Sequence, residues 1–319
     1  MIAKSLLILT IIYNMLGFNL VAKSGDEKVA DFLAKEDYQS AEAGYSTSLP
    51  AIATLPKVKS NAPKAVINSK NFALVDGETG ELLNSKNGDQ KVSIASTTKI
   101  MTAIVALENY QLSDVITVPQ QATTQTPTVV FLRTGEQITV LELLHCLLIK
   151  SANDSAYALA AYMDQSDAPN VTTFVEKMNQ KAGELGMTST HYMDPAGLSD
   201  EGQSTAIDLA TVTRYALQNP LFRQIVTTED YVATNTTKTI FHQLENSNRL
   251  VTTYDYPGAI GVKTGFTYAA SHCLVGAAKR GDHTLIAVIL GTYVDTPSAS
   301  ADEAKDLLDW GFANVVWPG

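Results

Sequence analysis

Three short groups of residues in this 319-residue chain have types and spacings that could do chemistry. Ser96 and Lys99 are separated by two residues and followed by apolar residues at helical spacing, Ile100, Ile104 and Leu107. Ser96 then stands where a helix begins and faces Lys99 one turn on. That brings an amine within reach of a hydroxyl, which is a weak nucleophile unaided. By itself the pair reads more simply as a capping serine and a solvated lysine. Ser151-Ala152-Asn153 lies between two helical patterns, and Lys263-Thr264-Gly265, followed by Phe266, lies on a strand pattern. Each also has a structural reading: helix caps for Ser151 and Asn153, a glycine bulge for the third group. All three in this order, each in a suitable setting, are hard to reach by chance.

The elements that must position these groups follow from periodicity. Residues 65–67 and 72–75 read as strand, Asp76 to Gly80 as a turn, and 81–84 as a returning strand. A helix follows Ser96. Thr139-Val140-Leu141-Glu142 forms a capping box that opens an apolar helix over 143–149 and delivers the chain to Ser151. A second helix runs over 154–163. The box pattern repeats at Thr173-Phe174-Val175-Glu176, and that helix should stop at Gly186. Another helix spans 204–217 and ends at Asn219-Pro220. Strands return at 260–266, 272–278 and 284–291, the last two joined through Arg280-Gly281-Asp282, most simply a hairpin turn. A final helix covers 299–312. Strands, helices, strands and a helix in that order imply an α/β (α+β) fold. Its antiparallel sheet is built from both ends of the chain, with a helical insertion over roughly 96–230.

The composition is that of a globular protein, 45% hydrophobic and 18% charged. A net charge of −10 argues against nucleic acid as a partner. The two cysteines, Cys146 and Cys273, make no zinc spacing, and no metal or cofactor is expected. They could pair in an exported chain, but buried free thiols are the favoured reading. Lys4 followed by the largely apolar stretch 5–22 reads as an export signal or an uncleaved N-terminal membrane anchor. No small-x-small cleavage site follows it. Its 18 residues, interrupted by Asn14 and Asn19, are marginal for a membrane span. Residues 23–64, charged and then rich in Ser, Ala and Pro, read as a disordered linker reaching on the order of 35 Å. The folded domain is placed at 65–319.

With its flanks, the pattern resembles the serine D-alanyl-D-alanine carboxypeptidases, the low-molecular-mass penicillin-binding proteins (peptidase family S11). The flanks run from Asp76 to Gly80, from Ile94 to Ala103, and through Asn153-Asp154, Gly197-Leu198 and Asn246-Ser247-Asn248. They continue through Gly261-Val262-Lys263-Thr264-Gly265-Phe266-Thr267 and Leu307-Leu308-Asp309-Trp310-Gly311-Phe312. The resemblance implies a β-lactamase/transpeptidase-like fold, with a five-stranded antiparallel sheet, flanking helices and a helical subdomain. It implies that Ser96 attacks the carbonyl of the penultimate D-Ala of a peptidoglycan stem peptide and forms an acyl-enzyme. Lys99 would take its proton, with a pKa lowered by burial and by Lys263. Ser151 would relay a proton to the leaving D-Ala, and Asn153 would hold the peptide backbone. Lys263 and Thr264 would face the substrate carboxylate, and Gly265 would allow close approach. The N–H groups of Ser96 and Phe266 would form the oxyanion hole. β-Lactam antibiotics would be covalent inhibitors, and the protein would work outside the cytoplasm.

A D,D-endopeptidase acting on cross-links is the nearest alternative. Many family members carry an arginine three residues ahead of a Glu-Ala pair, but here Ser300 precedes Glu303-Ala304. A class A β-lactamase shares the three motifs but needs a Glu-x-x-x-Asn. Glu176 and Glu184, the glutamates between Asn153 and Pro195, lack that asparagine. An inactive muropeptide-binding module is the remaining alternative. The family's C-terminal β-domain has no expected counterpart beyond Phe312.

Overall fold

Strand β1 (Asn71–Asp76) is buried along its whole length, because neighbours cover both of its edges and both of its faces. In this computed structural model, which describes residues 55–164, 170–292, 296 and 298–318, β1 lies inside a five-stranded antiparallel sheet. It pairs with β2 (Leu82–Lys86) on one side and β5 (His283–Thr292) on the other. With β3 (Ala259–Thr267) and β4 (Ser271–Arg280) the order is β3-β4-β5-β1-β2, so β3 is an edge strand. The sheet is thus assembled from both ends of the chain, as expected. Asp76 shapes the β1–β2 turn: its Oδ1 accepts the Thr79 amide at 2.8 Å and the Thr79 hydroxyl at 2.7 Å. Arg280-Gly281-Asp282 is the β4–β5 turn, with Gly281 at φ +61°.

Among the described residues the helices longer than one turn are α1 (Lys99–Asn109), α2 (Val140–Ile149), α3 (Asn153–Asp164), α4 (Thr172–Glu184), α5 (Ala206–Ala216), α6 (Pro220–Thr227) and α7 (Ala299–Asn314). Helix α7 covers one face of the sheet, where Ala304, Leu307 and Leu308 meet Leu74, Leu274, Leu285 and Ile289. Each such leucine or isoleucine contributes about 1.5–3 kcal/mol by leaving water. On the other face α5 lies against β1 and β5. Helix α1 is apolar all round: Ile100, Met101, Ala103, Ile104, Val105 and Ala106 are all buried. Such a helix has to be internal, and α2, α3, α4 and α5 surround it. Its burial draws its first residue, Lys99, inside the molecule, where the turn before it packs on edge strand β3.

Several expectations need correction. Residues 65–67 form no strand, and the chain enters the sheet only at Lys70, whose amide bonds to Gly291 O at 3.2 Å. The linker expected to reach residue 64 ends earlier: Lys57–Val58 pairs with Val315–Val316, two short segments no local pattern connects. Thr173 does not cap α4, which begins at Thr172 after Val171. Asn219-Pro220 closes α5 but also opens α6, with Asn219 Oδ1 accepting the Phe222 amide at 3.0 Å and Pro220 in the first turn. The export segment expected at 1–22 and the linker up to residue 54 lie outside the described residues. No helix among the described residues is long and apolar enough to cross a membrane.

Candidate active site

Ser96 lies in a 3-10 turn, Ala95–Thr98, that leads directly into α1. Thr97 fixes the turn by donating its hydroxyl to Ile94 O at 2.7 Å. Lys99 Nζ lies 2.8 Å from Ser96 Oγ, 2.7 Å from Asn153 Oδ1 and 2.8 Å from Ala196 O. A neutral amine offers two hydrogens and one lone pair. Asn153 Oδ1 and Ala196 O can only accept, so they take the hydrogens. The lone pair is left facing Ser96, the one partner of the three with a proton to give. Burial pushes the Lys99 amine well below its ordinary range; Lys263 pushes the same way, while Asp194 and Asp154 oppose.

The two acceptors are held independently. Asn153 opens α3, and its Nδ2 donates to Pro127 O, which fixes which end of the amide faces Lys99. Ala196 O is presented by a turn organised around Asp194. Asp194 Oδ1 accepts the amides of Ala196 and Gly197 at 2.7 Å each and of Leu198 at 3.2 Å. Its Oδ2 accepts that of Ser199 at 2.7 Å. Thr102 ties this turn to α1 by donating to Pro195 O at 2.6 Å. Gly197, at φ +74°, packs so tightly that a β-carbon there would lie 1.9 Å from Ala95 O.

Edge strand β3 supplies the opposite wall. Lys263 is buried, and its Nζ donates to Thr264 O at 2.9 Å. Burial lowers its pKa to about 7. Thr264 Oγ1 lies 2.7 Å from Ser247 Oγ, which joins Ser247 to the third group. Gly265 faces the turn that carries Ser96: a β-carbon on it would lie 2.9 Å from Ser96 N. Phe266 is half-exposed, its ring 4.6 Å from that of His272. Amines, hydroxyls and an amide make up this wall and its opposite, a donor set that suits an anion and not a metal cation.

Ser151 sits between α2 and α3, buried and at φ +66°. The capping box that brings the chain there is half formed: Thr139 Oγ1 accepts the Glu142 amide at 3.3 Å, but Glu142 turns instead to the Tyr231 hydroxyl and the Thr234 amide. Next to Ser151 runs a loop, residues 127–133, pinned from several sides. Its Thr128 O accepts the Asn153 amide at 2.8 Å. The amides of Val130 and Leu132 donate to the Asp154 carboxylate at 3.1 and 3.0 Å. His242 Nδ1 lies 2.9 Å from Val130 O, and its Nε2 lies 2.8 Å from Glu136 Oε1. Asp194, His242 and Glu136 were not picked out from the sequence. Nothing local marks them, because each acts on residues remote from the motif it supports, except that an aspartate ahead of Pro-Ala-Gly signals a tight turn.

Glu176 and Glu184 lie on α4, exposed, and Glu184 pairs with Lys181 at 2.9 Å. Neither joins the Ser96–Lys99–Asn153 network. Ser300 is buried in the first turn of α7, where Glu303 Oε2 accepts the Ser69 amide at 2.8 Å. Cys146 and Cys273 are both buried free thiols.

Comparison with known proteins identifies the family. Residues 57–293 match the family model described as D-alanyl-D-alanine carboxypeptidase, peptidase family S11. The chain is 36% identical over 252 residues to the D-alanyl-D-alanine carboxypeptidase DacF of Bacillus subtilis, a match covering 77% of this chain but only 62% of that protein. It is 35% identical over 270 residues to a D-alanyl-D-alanine endopeptidase of Pseudomonas aeruginosa, covering 83% of this chain and 86% of that one. Among solved structures, the Streptomyces K15 DD-transpeptidase superposes with a TM-score of 0.73 at 34% identity, covering 79% of this chain and 99% of that one. The fold, the order of the three motifs and these matches together place the chain in the S11 family of serine D-alanyl-D-alanine carboxypeptidases.

Proposed function

We propose that this protein is a serine D,D-carboxypeptidase that removes the terminal D-alanine from peptidoglycan stem pentapeptides. The observation that carries the reading is the set of acceptors around Lys99, which leaves its lone pair facing the Ser96 hydroxyl. Ser96 Oγ attacks the carbonyl of the penultimate D-Ala as its proton passes to Lys99. The oxyanion forms against the N–H groups of Ser96 and Phe266, at the positive end of α1. Ser151 passes a proton to the departing D-Ala amine. Asn153 and the free edge of β3 hold the peptide, and Lys263 with Thr264 receives its terminal carboxylate. Water then hydrolyses the ester at Ser96. β-Lactams acylate the same serine. The substrate implies work on the outer side of the cytoplasmic membrane, and the apolar stretch at residues 5–22 is the export signal or N-terminal anchor.

A second reading is supported by the Pseudomonas relative, whose name specifies an endopeptidase, and by Ser300 at the position where many members have an arginine. Less grip on a free terminus fits cleavage of cross-links. Release of D-alanine from a pentapeptide ending in D-Ala-D-Ala tests the first reading. Cleavage of a cross-linked dimer without such release would favour the second.

A further inference from the structure

Beside the second motif lies a cleft of about 370 Å³ that the catalytic network does not use. One wall is the pinned loop 127–133, contributing Val129, Phe131 and Arg133. Lys150, the residue before Ser151, borders it, and Phe241 and Gln243 of the strand Phe241–Glu245 form the other wall. His242, fixed between Val130 O and Glu136, also lines it. Two features mark it as built for a ligand. Phe131 and Phe241 are 80% and 62% exposed, an unfavourable placement for two phenyl rings unless something covers them. Phe131 is moreover held at φ +61°, a conformation a bulky residue adopts at a cost, while its neighbours' amides are locked on Asp154. Among the described residues, neither Arg133 nor Lys150 takes part in an ion pair, in a chain with ten more acidic than basic residues.

The geometry points to this cleft as a second binding site for the substrate, one that receives a free carboxylate carried by the stem peptide away from its terminal D-Ala-D-Ala. The inference rests on the D,D-peptidase reading above. Continuity supports it: the loop that forms the cleft wall also accepts the Asn153 amide hydrogens through Pro127 O and Thr128 O. Asn153, which the proposed mechanism uses to hold the peptide, is thus tied directly to the wall of the cleft. Arg133 and Lys150 supply opposite charge to a carboxylate, and the two phenyl rings cover the methylenes that carry it.

The test compares two synthetic pentapeptides ending in D-Ala-D-Ala, identical except that one has a free side carboxylate upstream and the other has it amidated. Binding to the full chain is read by fluorescence anisotropy of the labelled peptides, and kcat/KM by D-alanine release. The free acid is expected to be favoured by roughly three- to tenfold at low salt, the size of one or two solvent-facing ion pairs. Salt should erode that preference. The double variant Arg133→Ala, Lys150→Ala should bring the ratio to about one, Arg133→Glu should invert it, and Arg133→Lys should keep it. An unchanged ratio in the double variant, or equal handling of both peptides by the parent, overturns the assignment. Absence of D-alanine release from either peptide would count against the carboxypeptidase reading, and the anisotropy ratio would still decide the cleft.

Discussion

Gly265 stands so close to Ser96 that a β-carbon on it would lie 2.9 Å from the Ser96 amide nitrogen and 3.2 Å from that of Thr97. The Thr97 N–H is already bonded to Ile94 O at 3.2 Å, but the space in front of the Ser96 N–H is where the oxyanion of the proposed mechanism sits, shared with the N–H of Phe266. Gly265→Ala would fill it with a methyl group while leaving the pairing of β3 with β4 possible. Acylation by a β-lactam is expected to slow by about 10²–10³-fold, the usual loss when an oxyanion donor is obstructed, with the near-ultraviolet dichroism of the fold retained. An unaltered acylation rate in a folded variant would remove the oxyanion from this place.

Lys263 is costly to the fold, and the proposed chemistry needs it. Its pKa falls from 10.5 in the unfolded chain to about 7 in the folded one, because burial penalises the charge. Below pH 7 both states carry the proton, so the full penalty stands. Between about 7 and 10.5 the unfolded chain binds more protons, so this group's contribution makes stability rise with pH. Lys263→Met, which keeps the apolar stem and removes the charge, should therefore raise stability at pH 6 by roughly 2–5 kcal/mol in urea unfolding and abolish D-alanine release. A less stable Met variant would show that the buried amine is held by more than its bond to Thr264.

The two buried amines predict a bell-shaped pH profile. Acylation needs Lys99 neutral, so kcat/KM climbs with pH as the lowered Lys99 pKa is passed. Carboxylate recognition needs Lys263 charged, so it falls again above about 7. The limbs belong to the coupled pair. Replacing Lys263 with arginine, which stays charged, should flatten the alkaline limb without moving the acid limb in step. A Lys263→Arg profile that superimposes on the parent's would assign the alkaline limb to another group.

Asp194 is expected to act through Ala196. Asp194→Ala strands the amides of Ala196, Gly197, Leu198 and Ser199, costing on the order of 2–4 kcal/mol in thermal unfolding. It should also release Ala196 O from Lys99 and shift the acid limb of the acylation profile. A loss of stability with an unshifted limb would make Asp194 a purely structural residue.

The features legible in the sequence are those with a local cause. Ser96 and Lys99 meet because helical spacing puts them one turn apart, and Thr139 caps α2 because its hydroxyl reaches the amide three residues on. The strands of the sheet showed in their apolar runs. Distance along the chain hid the rest. Lys57 pairs with Val316, Asp194 serves Lys99 through Ala196, and His242 reaches back to Val130 and Glu136. None of these leaves a periodic trace. The helix α6 was missed for a different reason: Asn219-Pro220 is a stop signal for the helix before it and, equally, a cap and first turn for the one after.

The central claim is that Ser96 is the nucleophile and Lys99 its base. A labelled penicillin, followed by peptide mapping in a mass spectrometer, tests it most directly. One adduct is expected, on the peptide containing Ser96, absent from Ser96→Ala and slowed at least about 10³-fold in Lys99→Arg, which cannot give up its proton at working pH. An adduct on another residue, or undiminished labelling of Ser96→Ala, would contradict it.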